Sequence, residues 1–183
     1  MILFFGPTGS GKSMQGQLMA VRHGWRWISI GQLLRDTSDP EIMAYLKEAI
    51  LVPDDYTNKL VFQQIDKALN IDGLDNIILD GYPRRIEQVK ALIEYGAKIH
   101  AAIIFDVDSG ELFNRLHLRG RMEDNPRIIK KRIEQYDSKT KPLLDFLEEN
   151  GVILKKVNGI GTVGEVHDRV DNAIAEVQME REQ

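Results

Sequence analysis

The sequence predicts a three-layer α/β/α domain built on a five-stranded parallel sheet. Short apolar runs alternate with longer stretches of helical periodicity along all 183 residues, which is the pattern of repeated βα units. Two of the runs, "ILFF" and "AAIIFDV", are nearly continuous in apolar residues, as strands covered by helices on both faces should be. Between the first run and the first helical stretch lies the glycine-rich segment "GPTGSGKSMQ". In such a sheet, ligands are expected at the C-terminal ends of the strands.

Taken in order, the first strand is expected at 2–5 and the first helix at 12–23, with Gly24 closing it. A second strand is expected at 25–30, where Trp25 and Trp27 flank Arg26 as packing residues. Helical patterns follow at 39–49 and 55–69, then a strand at 76–80 that ends on Asp80. A helix at 84–94 stops before Gly96, a strand covers 101–107 and a helix covers 109–119. Asn125 is a good cap for the next helix, with Pro126 at its first position. That helix runs over 126–149 with a break around Pro142 and ends at Gly151. A strand at 152–157 and a helix at 163–179 complete the chain, and the charged tail from Glu176 reads as a solvated helix end.

With 43% apolar and 28% charged residues, the chain can bury the core of one domain. Cysteine is absent, which excludes disulfides, thiolate metal sites and a cysteine nucleophile. No run reaches the ~18 apolar residues of a membrane span, so the expectation is a cytoplasmic protein without membrane contact. The net charge of -4 argues against non-specific nucleic-acid binding. His23, His100, His117 and His167 are scattered without ligand spacing. The lack of an exposed heptad or apolar stripe favours a monomer.

Gly6, Gly11, Lys12 and Ser13 satisfy G-x-x-x-x-G-K-[ST] between a strand and a helix, the context this phosphate-binding motif requires. Glycines let backbone N–H groups converge on phosphate oxygens at a helix N-terminus, and the lysine neutralises the outer phosphates. Asp80, at the end of its strand, can hold Mg²⁺ through water. Arg84 and Gln88 share a face if a helix begins after Pro83, and Arg115 and Arg119 are likewise four apart. Arginine grips phosphate with two parallel donors, and a glutamine amide can pair with the edge of a base.

Beyond the loop, "ISIGQLLRD", "LVPDD", "LDGYPR" and "RGRMEDNPRIIKKRIEQY" follow one another in order. Together these segments resemble the motifs of the adenylate kinases and related nucleoside monophosphate kinases, with a short lid. The resemblance implies transfer of the γ-phosphate of ATP to a nucleoside monophosphate, with Mg²⁺ and without zinc. It divides the chain into a core (1–29, 60–119 and 127–183), an acceptor-binding segment (30–59) and a minimal lid (120–126). For ATP it implies Gly9, Ser10, Gly11, Lys12, Ser13, Met14, Arg115 and Arg119. For AMP it implies Ile30, Arg35, Val52, Gly81, Arg84, Gln88, Arg121 and Arg132. Lys12, Arg84, Arg119, Arg121 and Arg132 are the implied catalytic set, and Glu123 with Asp124 matches the acidic pair after the lid arginine.

The chain also departs from the pattern. Ser13-Met14 stands where Gly-Thr is usual, Ile30 where threonine or alanine is, and Gln32 and Glu123 where aspartate is. Only Gly120 separates Arg119 from Arg121. Gln88 favours AMP as acceptor, with Ile30 packing the purine. A pyrimidine or broader monophosphate kinase and a non-catalytic adenylate-binding module are the alternatives.

Overall fold

Along the first strand the side chains alternate between two cores. Met1, Leu3 and Phe5 enter one apolar cluster while Ile2 and Phe4 enter a second, so both faces of the sheet are buried. A computed structural model describes residues 1–72, 76–121 and 124–181 of the chain, and Glu123 lies outside them. The elements are β1 (Ile2–Phe5), α1 (Lys12–His23), β2 (Arg26–Ser29), α2 (Ile30–Asp36), α3 (Pro40–Lys47) and α4 (Asp54–Asp72). They continue as β3 (Ile77–Asp80), α5 (Ile86–Glu94), β4 (Ala101–Asp106), α6 (Ser109–Arg119) and α7 (Pro126–Gln135). A π-helical turn (Tyr136–Thr140), α8 (Lys141–Glu149), β5 (Ile153–Asn158) and α9 (Val163–Arg181) end the chain.

The five strands are all parallel, in the order β2-β3-β1-β4-β5. The connection after β1 runs one way across the sheet and the connection after β4 runs the other. A crevice therefore opens at their C-terminal ends, directly below the glycine-rich loop. The cluster that holds Leu3 and Leu79 takes in Leu34, Ile42, Val61, Val89, Leu92 and Leu147 from α2, α3, α4, α5 and α8. The cluster on the other face packs Met19 of α1 against Val166, Val170 and Ile174 of α9, with Trp25 and Trp27 at its margin as the sequence predicts. A Cβ on Gly16 would lie 2.4 Å from the Trp27 ring, so only glycine lets α1 pack this closely on β2.

Two expectations need correction. Residue 30 is not strand: Ser29, in extended backbone, precedes a seven-residue helix that Ile30 begins. Two turns are too short for an apolar period to show. The helix expected from residue 84 begins at Ile86, with Arg85 as its cap, so Arg84 lies outside it. The Gln88 side chain reaches back and accepts from the Arg84 N–H at 2.7 Å, satisfying a donor that the helix leaves unpaired. The break expected around Pro142 is the π-helical turn just before it, where the Lys141 N–H donates to the Tyr136 carbonyl. The start of α7 follows expectation: Asn125 Oδ1 accepts from the Ile128 N–H at 3.0 Å, with Pro126 in the first turn.

Candidate active site

Backbone geometry shapes the loop between β1 and α1. Gly9 and Gly11 have φ of 86° and 96°, which side-chain-bearing residues rarely adopt, and a Cβ on Gly9 would come within 2.9 Å of Leu116. Gly11 is the last residue before α1, so Lys12 starts the helix whose amide dipoles point into the crevice. The Lys12 ammonium folds over the loop and donates to the carbonyls of Gly6 (2.7 Å) and Pro7 (2.8 Å) and to Ser10 Oγ (3.1 Å). Burial pulls its pKa down to about 8; Asp80 opposes that fall, while Arg84 and Arg119 add to it. A short turn of the chain away, Ser13 Oγ donates to Asp80 Oδ2 at 2.6 Å.

Around the loop lies a cleft of about 480 Å³ whose lining carries eight basic side chains and a single carboxylate, Asp80. The basic groups are Lys12, Arg35, Arg84, Arg115, Arg119, Arg121, Arg132 and Lys139. Arg84 Nε donates to the Gly81 carbonyl at 2.8 Å. Burial lowers the Arg84 pKa and the charge of Arg132 lowers it further, against the pull of Asp80. Arg35 Nη2 donates to Gln32 Oε1 at 3.0 Å, so Gln32 helps to orient the arginine. Arg115 is bound to Glu111 (2.6 Å) and to the Gly159 carbonyl (2.9 Å). Arg119 pairs with both Asp124 oxygens, and the Arg121 N–H joins at 3.2 Å. Burial would raise the Asp124 pKa, but the Arg119 hydrogen bonds outweigh it and hold the carboxyl below its usual range. From α7, Arg132 Nη2 donates to the Leu46 carbonyl at 3.1 Å, at the end of α3.

Of the residues singled out in the sequence, Gly9, Gly11, Ser13, Met14 and Gly81 line the cleft together with Lys12, Asp80 and the six arginines. Ser10 lies beneath the loop, 1% exposed. Ile30, Val52 and Gln88 do not line the cleft; their side chains are 3%, 3% and 4% exposed. Lys139 and Gln135 were missed, although Arg132, Gln135 and Lys139 recur at the three-and-four spacing of one helix face.

A cationic cleft over a glycine loop at a helix N-terminus suits phosphate-bearing ligands. The family model described as "Adenylate kinase" matches residues 4–152. The chain belongs to the adenylate kinase family. Adenylate kinase of Mycobacterium ulcerans (strain Agy99) is 38% identical over 183 aligned residues, covering 94% of this chain and 98% of that protein. Adenylate kinase of Mycobacterium tuberculosis (strain ATCC 25618 / H37Rv) has the same identity and coverage. That of Mycolicibacterium smegmatis (strain ATCC 700084 / mc(2)155) is 35% identical over 185, covering 96% and 99%. Against this family frame the sheet order, the loop and the two carboxylate-held arginines, Arg115 and Arg119, are all compatible with phosphotransfer. Among the described residues no helix is long and apolar enough to cross a membrane.

Proposed function

We propose that this chain is an ATP:AMP phosphotransferase that passes the γ-phosphate of ATP reversibly to AMP, giving two molecules of ADP. The observation that carries the reading is the set of eight cations against one carboxylate around the loop, in a chain whose net charge is -4. The acceptor oxygen is already ionised near neutral pH, because the second pKa of a phosphate monoester is about 6. No general base is needed. What is needed is countercharge for two polyanions carrying roughly six negative charges between them, held in line with water kept out.

In this reading the loop and Lys12 hold the donor phosphates, with Arg115 and Arg119 on the donor side. Arg35 and Arg84 grip the acceptor phosphate, and Arg121 and Arg132 converge on the transferring group when segment 30–59 and the short lid close. The border at 59–60 falls within the continuous helix α4. Ser13 Oγ and the Asp80 carboxylate, hydrogen-bonded to each other at 2.6 Å beside the loop, would hold Mg²⁺, a hard cation that takes oxygen donors. When bound, that ion neutralises charge on the β- and γ-phosphates.

A coupled assay of ATP with each monophosphate tests the proposal. AMP is expected to exceed UMP by roughly ten-fold or more in kcat/KM, the worth of one buried hydrogen bond lost. No turnover with any monophosphate would leave an adenylate-binding module instead, and a preference for UMP or CMP would make it a pyrimidine kinase. A second expectation follows from Lys12. Its pKa is depressed to about 8 in the free protein, and the negative phosphates of a bound nucleotide raise it again. Binding near pH 8 should therefore take up roughly half a proton, and ATP affinity should fall as the pH rises through that value. Titration calorimetry in two buffers of different ionisation enthalpy measures the uptake; Lys12→Met should abolish it.

A further inference from the structure

We propose that Thr8 is a further catalytic residue of this chain, its hydroxyl donating a hydrogen bond to the phosphoryl group in transfer; this rests on the phosphotransferase reading above and adds a contact to it. The Ser10 N–H donates to the Pro7 carbonyl at 3.3 Å, closing a tight turn with Thr8 and Gly9 at its centre. The φ of 86° at Gly9 is positive, as the third position of a type II turn requires. Lys12 braces the turn from within, because its ammonium takes the carbonyls of Gly6 and Pro7 together with Ser10 Oγ. Thr8 therefore stands at the tip of a braced turn, half-buried, on the wall of the cleft.

Thr8, Ser10 and Ser13 put three hydroxyls on this loop and the start of α1, and two of them are committed. Ser10 Oγ accepts from Lys12 at 3.1 Å beneath the loop, and Ser13 Oγ donates to Asp80 at 2.6 Å. Thr8 makes no side-chain hydrogen bond among the described residues, so its O–H is open to a ligand in the cleft. In a glycine loop of this kind the backbone N–H groups cradle the α- and β-phosphates, and the lysine reaches the β- and γ-phosphates. Here those N–H groups lie toward the start of α1, and Thr8 precedes them, next to the carbonyl of Pro7 that holds the lysine. Arg84 and Arg119, on the acceptor and donor sides of the proposed reading, both lie close enough to depress the Lys12 pKa. The point of transfer therefore lies beside Lys12, next to the turn that carries Thr8. The cations there supply charge; a hydroxyl adds a short, directional donor. On a braced turn, with one side-chain torsion besides its hydroxyl rotor, that donor is already in place when charge spreads over the equatorial oxygens. The bond it makes to them is charge-assisted.

Thr8→Val removes the hydroxyl and keeps the branched shape, so it tests the donor alone. In the coupled assay with ATP and AMP it is expected to lower kcat roughly ten-fold or more, with either KM changed less than about three-fold. Thr8→Ala should match it, and Thr8→Ser should recover most of the loss. A binding measurement without turnover checks the same contact: fluoroaluminate, held with ADP and AMP, takes the place of the phosphoryl group in transfer. Calorimetry should show that complex weakened in Thr8→Val by about the same factor as kcat, while ATP alone binds as before. Proton uptake on ATP binding should also persist, since Lys12 is untouched. A Thr8→Val kcat within about three-fold of the unmodified enzyme overturns the proposal. So does a loss that serine shares, because bulk at the turn and not the hydroxyl would then be responsible. A raised KM with unchanged kcat overturns it too, leaving Thr8 a ground-state contact. Unmodified protein that transfers to no monophosphate would strike the phosphotransferase reading, and this inference with it, before any variant is compared.

Discussion

Lys12→Met is expected to lower kcat by at least about 100-fold, because it deletes a positive charge matched to the transferring phosphoryl group. The structure adds a reason why folding should survive. In the absence of nucleotide the ammonium is held by the Gly6 and Pro7 carbonyls and Ser10, and its charge is costly enough there to bring the pKa to about 8. Methionine gives up those hydrogen bonds and also removes the buried charge, two changes of opposite sign. A melting temperature close to that of the unmodified protein, together with lost turnover in the coupled assay, is the expected pair of results. Near-normal phosphotransfer would mean that the loop is not the donor site.

Arg132→Ala is expected to reduce kcat by roughly 10² to 10³ while raising KM for either nucleotide far less, because it removes a charge aimed at the transition state. The geometry makes this prediction specific. Arg132 donates to the Leu46 carbonyl at the end of α3 and lines the same cleft as Arg84, whose pKa its charge lowers. A ligand phosphate between the two guanidiniums would relieve their repulsion, and that relief is largest where negative charge is greatest. Arg121→Ala should act in the same direction, since Arg121 lines the same cleft and, in the proposed reading, meets the same group. Steady-state kinetics with both nucleotides varied decide the matter. An unchanged kcat with a raised KM would reduce these arginines to ground-state binding residues.

The glycine-rich loop was readable in the sequence because its determinants are local. Gly9, Gly11, Lys12 and Ser13 lie within five residues, and positive φ at two glycines is enough to turn successive amides toward one point. Asp80 was readable for a similar reason: a carboxylate that ends a parallel strand must emerge on the edge where the loop is, and it does, 2.6 Å from Ser13. The arginines came from a resemblance between motifs, and spacing alone would have left each of them an ordinary surface residue. Helix α2 escaped because two turns contain too few apolar positions to define a period.

What the sequence by itself determined was the alternation of strands and helices and the phosphate loop. Each follows from backbone preferences and apolar spacing over a few residues. Which partner each polar side chain takes was decided by tertiary structure. Gln88 meets Thr57 and Asp54 across 31 and 34 residues of chain, and Arg132 meets Leu46 across 86. A side-chain amide accepts any suitable partner that packing brings within about 3 Å, so its orientation depends on helices folded against one another and not on its neighbours in sequence. The residue type at 88 announced a base-reading amide; only the packing of α4 against α5 showed that its two hydrogens were already taken.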